Sequence, residues 1–180
     1  MDLVNSLEQT FHHARGVIAG VRPEQHDDKT PCEQWTVHDL LEHMIGVVAG
    51  IGAAAGGRSP APFALGPDPG TQFDDIATSA IAAWRTPGVL DRVLEGPAGA
   101  MPGQVLASIN LLDTATHTWD LAIATGQPAE LPEAIASAAM DASRMIVTPE
   151  LRPGRFGPEQ AVGAGASSTQ QLVAFLGRKG

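Results

Sequence analysis

The chain has 180 residues, of which 43% are hydrophobic, and a mean hydropathy of zero; these values exclude a disordered or fibrous protein and indicate one globular domain spanning residues 1–180. Twenty acidic against 11 basic residues give a formal charge of −9, which disfavours nucleic acid or a membrane surface as a partner. Cys32 is the only cysteine, which excludes an intrachain disulfide, and the N-terminus is too acidic and amphipathic for a signal peptide, so a cytoplasmic protein is expected.

The first two predicted helices are amphipathic and are joined by a polar loop. Apolar residues recur every three or four positions over residues 2–21, which indicates a helix. The second helix begins at Thr36, where Thr36 and Asp39 form a shortened capping box, and its apolar stripe extends to Ile51 with His43 at the edge. No apolar run approaches the roughly 20 residues that a membrane-spanning helix needs.

The rest of the chain predicts four more helices and no convincing strand. The helices are expected at residues 73–84, 101–126, 131–147 and 168–176. A long loop rich in glycine and proline, residues 56–70, precedes them and is typical of a segment that covers a site. Together the elements indicate an all-α fold, a four-helix bundle with an additional C-terminal helix and a short terminal helix that ends in the basic pair Arg178-Lys179.

The helix predicted over residues 101–126 carries ionisable groups on its apolar face. At about 100° per residue, Asp113 and Asp120 share that face and His117 lies at its border. A buried carboxylate is normally hydrogen-bonded, paired with a cation or bound to a metal, because an unpaired buried charge is costly. Asp113 and His117 are one turn apart and can reach one ion, but a hydrogen bond from Asp113 to another helix and a structural His117 explain the pattern equally well.

His43 is the candidate for a third ligand, although an edge histidine is more often structural. Two imidazoles and one carboxylate leave a coordination position for water or substrate, which is typical of a catalytic metal site. Such a set suits zinc, and also nickel, iron or manganese. Cys32 allows two interpretations: a small residue that packs the loop, which we favour, or a thiolate stabilised near the start of the second helix.

Two separated motifs resemble those of a known family. The run from Thr30 to His43, TPCEQWTVHDLLEH, resembles the Thr-Pro-Cys-x-x-Trp-x-Val-x-Asp-Leu-x-x-His signature of the DinB-like, mycothiol-dependent maleylpyruvate isomerase N-terminal domain family. The run from Asp113 to Gly126, DTATHTWDLAIATG, is similar to the second metal segment of that family. Two tail sequences, Phe-Gly-Pro from Phe156 and Ala-Phe-Leu-Gly-Arg from Ala174, are similar to those of its short single-domain members.

The resemblance implies a DinB-like four-helix bundle that holds a divalent metal, usually zinc, on His43, Asp113 and His117. The family's isomerase has glutamate where this chain has the shorter Asp113. Asp120 is therefore a second candidate for the acidic position, where it would replace Asp113, bridge through water or orient His117. Asp120 and Thr116 are the residues expected to line the cofactor site and to be available for proton transfer, and the sequence assigns no catalytic base.

The function that the resemblance implies is a metal-dependent S-transferase or isomerase that uses a small-molecule thiol of the mycothiol type and an electrophile. Two other functions remain open at this stage: a non-catalytic metal- or small-molecule-binding stress-response module, and a metal-assisted hydrolase. The resemblance does not extend to the additional C-terminal domain of the full isomerase, so we expect no substrate to carry over. A homodimer is also left open by the sequence.

Overall fold

The computed structural model describes residues 2–96 and 99–178, which form six α-helices and one two-stranded sheet. In chain order these elements are α1 (Leu3–Ala19), α2 (Val37–Ala55), α3 (Pro69–Trp84), β1 (Val93–Gly96), β2 (Gly99–Pro102), α4 (Gly103–Thr125), α5 (Glu133–Ile146) and α6 (Ser168–Phe175). The predicted helical fold class is confirmed. Each predicted helix is present, with ends that differ from the prediction by a few residues.

Helices α1 to α4 form the four-helix bundle. Helix α1 packs against α3 and α4, and α2 packs against the same two helices on the other side. Helix α5 packs against α4 and α1, and α6 packs against α5. The bundle forms because the apolar stripes of these helices are buried against one another, as the fully buried side chains of Leu7, Leu41, Phe73 and Leu111 show. Helix α4 contacts three of the other helices, so its polar residues lie inside the protein.

Helix α2 begins where the capping box predicted. Thr36 Oγ1 accepts a hydrogen bond from the Asp39 amide at 3.2 Å, and Asp39 Oδ2 accepts one from the Thr36 amide at 2.9 Å. These bonds satisfy amides that would otherwise lack partners at the helix N-terminus. The cap holds the first turn of α2 and so sets the position of His43, less than two turns further along.

The connection between α3 and α4 differs from the prediction. We expected no convincing strand there and a helix that started at Met101, but β1 and β2 pair in antiparallel register, with Val93 opposite Pro102. Helix α4 begins only at Gly103, whose amide donates to the Arg92 carbonyl oxygen at 2.7 Å. Each strand has four residues, too few to produce a visible alternation of apolar and polar positions. Proline cannot donate to the ladder, which is consistent with its place at the end of β2.

Helix α2 differs from the expectation that no apolar run approaches the length of a membrane-spanning helix. Its 19 residues are, by length and composition, sufficient to cross a membrane. Its large apolar side chains lie in the core of the bundle, where Leu40, Leu41, Ile45 and Val48 are fully buried. Burial in the core accounts for the composition of α2, because the central helix of a soluble bundle needs the same residues.

Candidate metal centre

The three predicted ligands meet where α2 crosses α4. His43 extends from α2, and Asp113 and His117 extend from adjacent turns of α4. His43 Nε2 lies 3.0 Å from Asp113 Oδ1, and His117 Nε2 lies 3.6 Å from the same oxygen. The two imidazole rings have centroids 4.9 Å apart and are nearly perpendicular. The structure therefore brings one nitrogen from each histidine and one carboxylate oxygen to a single point.

These distances fit a divalent cation. Bonds of about 2.0–2.2 Å around a tetrahedral zinc ion place neighbouring ligand atoms roughly 3.3 Å apart. The separations of 3.0 and 3.6 Å from Asp113 Oδ1 lie on either side of that value. The other carboxylate oxygen, Asp113 Oδ2, is buried and accepts no hydrogen bond from the described residues. A buried oxygen without a partner is costly, and a cation would remove that cost. The shorter aspartate reaches both imidazoles.

Asp120 lies on the other side of His117 and holds the imidazole in place. Its fully buried carboxylate has Oδ2 at 2.9 Å from His117 Nδ1, while Arg178 Nε donates to Oδ1 at 2.8 Å and Arg178 Nη2 donates to Oδ2 at 2.7 Å. Burial by itself would raise the pKa of Asp120, but the hydrogen bonds from Arg178 and His117 outweigh it and hold that pKa at about 2.

The ionised Asp120 carboxylate can only accept hydrogen bonds, so His117 Nδ1 carries a proton and donates it. In neutral His117 the lone pair is then on Nε2, the nitrogen that faces Asp113. His117 Nε2 and Asp113 Oδ1 face each other at 3.6 Å, so they can both serve as ligand atoms for one cation. Of the alternatives that the sequence left open for Asp120, the geometry corresponds to orientation of His117.

The ligand cluster borders a cleft on its His43 side. The cleft has a volume of about 570 Å³, within the range of small-molecule sites, and its walls include Trp35, Val47 and Phe63 beside His43. The side chains of His43, Asp113 and His117 are 31%, 18% and 12% exposed, so His43 is the most accessible of the three. Within residues 2–96 and 99–178, no further histidine, cysteine or carboxylate completes this set of three. A four-coordinate ion on these three ligands would therefore keep one position open.

Cys32 lies beside His117, on the side away from Asp113. Its Sγ donates to Asp120 Oδ2 at 3.4 Å and lies 3.9 Å from His117 Nδ1. Burial and then the negative charge of Asp120 raise the pKa of the Cys32 thiol to about 12. At neutral pH the side chain is a thiol, which is the opposite of the thiolate interpretation and agrees with a packing role.

Three residues that surround the centre, Trp35, Thr30 and Arg178, were not identified as such from the sequence. The Trp35 ring covers both imidazoles, with centroids 4.5 Å from that of His43 and 5.7 Å from that of His117. Thr30 fixes this loop, because its hydroxyl donates to the Trp35 carbonyl oxygen at 2.9 Å. The Thr-Pro-Cys-x-x-Trp motif was the available signal for both residues.

Arg178 was predicted only to complement the end of the last helix, yet its side chain is 13% exposed and pairs with Asp120. Lys179, the other residue of the predicted basic pair, lies outside the described residues. The Thr116 hydroxyl is buried and makes no hydrogen bond with any described residue, so its place in the cofactor site stays a prediction.

The fold and the centre define a class: DinB-like helical bundles in which two histidines and one carboxylate from two helices converge, and one of the histidines lines a cleft. The chain belongs to the mycothiol maleylpyruvate isomerase N-terminal domain family, whose family model matches residues 7–122. Two uncharacterized proteins from two strains of Mycobacterium tuberculosis are each 37% identical to it over 182 aligned residues, which cover 99% of this chain and 98% of each relative.

Among solved structures, the crystal structure of the mycothiol-dependent maleylpyruvate isomerase matches with a TM-score of 0.53 and 15% sequence identity, over 77% of this chain and 68% of that chain. The crystal structure of a variant of that enzyme, with one histidine changed to alanine, matches over the same shares with a TM-score of 0.50. At this level of identity the likeness shows a shared fold. The family assignment rests on the sequence match.

Proposed function

We propose that this protein binds a divalent metal, zinc before nickel, iron or manganese, through His43, Asp113 and His117, and that it is a thiol-dependent S-transferase or isomerase. The observation that carries the proposal is the convergence of His43 Nε2, Asp113 Oδ1 and His117 Nε2 beside a cleft, with no fourth ligand among the described residues. Membership of a family named for a mycothiol-dependent isomerase favours a low-molecular-weight thiol of the mycothiol type as the cosubstrate.

When bound, the divalent cation would lower the pKa of a thiol that coordinates it and so supply a nucleophile at neutral pH. The protein's own residues then have separate tasks. Asp120 fixes the His117 ring, and Asp113 supplies the negative charge that balances part of the charge of the ion. Trp35 and Phe63 form an apolar part of the cleft wall beside His43. Burial and the charge of Asp120 raise the pKa of Cys32 to about 12, which disfavours this thiol as the nucleophile.

The open coordination position favours this proposal over a non-catalytic metal-binding module, because structural zinc sites are normally closed by four protein ligands. A metal-assisted hydrolase would use the same three ligands, and the family name is what favours thiol chemistry. We also propose that residues 1–180 act as one domain in the cytoplasm, because the acidic composition and the single cysteine fit that compartment.

The test uses the purified protein, with metal content measured by elemental analysis before and after loading with zinc. We expect one zinc ion per chain and turnover of an electrophile such as maleylpyruvate that requires added mycothiol. His117→Ala and His43→Ala should lose both the metal and the turnover. His12→Ala is the matched control, because His12 is an exposed histidine of α1 and should retain both. Equal rates for the wild type and His117→Ala would refute the proposal, and zinc-dependent turnover without any thiol would identify a hydrolase instead.

A further inference from the structure

Arg178 reaches the metal centre because the chain makes a close backbone contact just before it. Gly177 has a φ of +83°, and a Cβ atom at this position would overlap the backbone of Gly157. Arg152 holds both sides of the contact, since its Nη1 donates to the carbonyl oxygens of Gly157 at 2.7 Å and Phe175 at 3.0 Å. Only glycine fits this left-handed, crowded position at low cost. The tail motifs Phe-Gly-Pro and Ala-Phe-Leu-Gly-Arg therefore form the turn that directs Arg178 inward.

Around His117 the structure contains two sets of ligand atoms, one on each ring nitrogen. The Nε2 side faces His43 and Asp113, and the Nδ1 side faces Cys32 and Asp120. In each set the three ligand atoms lie within 4.8 Å of one another. A cysteine, a histidine and an aspartate form an ordinary set of zinc ligands once the thiol and the ring nitrogen have lost their protons to make room for the ion. By geometry alone, a metal ion has two places to bind.

The second set already contains a cation. The Arg178 guanidinium forms a two-point contact with Asp120, at 2.8 and 2.7 Å, and its Nη2 lies 4.0 Å from Cys32 Sγ. Arginine keeps its charge at all relevant pH values, and its planar fork matches a carboxylate. The guanidinium therefore satisfies the charge of Asp120 and repels a metal ion from the same place.

We propose that Arg178 is a positioning residue that occupies the cation position of the Cys32, His117 and Asp120 set and so directs the metal to the His43, Asp113 and His117 set. This inference rests on the proposed metal site. The inference explains how the ion is directed to one of two adjacent ligand sets. The set that binds it includes His43, which lines the cleft. The same contact keeps Asp120 ionised as the acceptor for the proton on His117 Nδ1, which leaves Nε2 available as a ligand.

The test uses cobalt(II) as the probe, because thiolate coordination to cobalt gives an intense near-ultraviolet charge-transfer absorption that histidine and carboxylate ligands do not give. We expect the wild-type protein to bind one cobalt ion without this absorption. Arg178→Gln should acquire it, and the double variant Arg178→Gln with Cys32→Ser should lose it again. Arg155→Gln is the control, because it removes an exposed arginine of the same tail segment and should match the wild type.

Gly177→Ala provides a second variant that leaves the arginine intact. The added methyl group displaces the turn from Gly157, so we expect the thiolate absorption to appear as in Arg178→Gln. Circular dichroism confirms that each variant is folded before its spectrum is compared, and if Arg178→Gln does not fold, Gly177→Ala decides the result. Folded variants with the wild-type spectrum would overturn the inference, as would a thiolate absorption in the wild type. A wild-type protein that binds no cobalt would instead refute the proposed metal site itself.

Discussion

Replacing Asp120 with asparagine should both destabilise the fold and weaken metal binding. The change keeps the size of the side chain but removes the negative charge that Arg178 and His117 share. Asparagine presents one oxygen and one amide nitrogen, and the amide nitrogen cannot accept a hydrogen bond from Arg178 or His117. One of these donors therefore loses its acceptor in a place that water does not reach.

The expected size of the effect follows from burial. Asp120 has no exposed side-chain surface, and the side chain of Arg178 is 13% exposed, so the variant leaves a buried guanidinium without its counter-charge. Removing one partner of a buried ion pair costs about 3–5 kcal/mol. That is a large share of the roughly 5–15 kcal/mol that stabilises a typical folded protein. Loss of the acceptor for the His117 Nδ1 proton should also weaken zinc binding by about 10–100-fold.

Asp74→Asn is the matched control. Asp74 also pairs with an arginine, since Arg15 Nη2 lies 2.9 Å from its Oδ2, but the two side chains are 32% and 57% exposed. An exposed pair of this kind contributes about 0–1 kcal/mol. The two variants therefore make the same chemical change in an arginine–aspartate pair, and they differ in burial and in the number of partners that the carboxylate has.

The assay is urea-induced unfolding of both variants followed by circular dichroism, together with zinc affinity from competition with a chelator. We expect Asp120→Asn to unfold at clearly lower urea concentration than Asp74→Asn and to lose zinc to the chelator first. If the two variants have free energies of unfolding within about 1 kcal/mol of each other, and bind zinc equally well, the buried ion pair does not have the role assigned to it.

Three further substitutions and the addition of zinc test other parts of the structure. Gly16→Ala should stabilise α1 by up to about 1 kcal/mol, because nothing lies within 4 Å of the new Cβ. Gly52→Ala should lower the free energy of unfolding by about 1–3 kcal/mol, because its Cβ would lie 2.7 Å from that of Ala80. If Gly16→Ala and Gly52→Ala had equal effects on urea unfolding, the close packing of α2 on α3 would be contradicted. Thr36→Ala should lower the free energy of unfolding by about 1 kcal/mol, because it removes the N-cap of α2. An unchanged urea midpoint would contradict a stabilising role of the cap. Zinc at 100 times its dissociation constant should raise the free energy of unfolding by about 2.7 kcal/mol, a gain that His117→Ala removes.

Much of the fold could be predicted from the sequence because helices depend on local periodicity. The apolar stripes of α1 and α2, the capping box at Thr36 and the stop at Gly126 are all features of neighbouring residues. The pairing of Asp113 with His117 is equally local, since one helical turn separates them. The motif around His43 supplied the third residue of the set through its resemblance to the family. Metal binding by these three residues stays a prediction.

Only the tertiary structure shows which groups surround His117. Cys32 and Asp120 are 88 positions apart in the chain, and Arg178 is 58 positions from Asp120, so no local pattern relates them. The sequence offered Asp113 as the first candidate for the acidic ligand and Asp120 as the second. Packing distinguishes them, because Asp113 faces His117 Nε2, whereas Asp120 faces Nδ1 and a buried guanidinium. Helix periodicity determines which face a residue occupies, whereas the charge and burial of a site depend on distant segments that meet only when the chain folds.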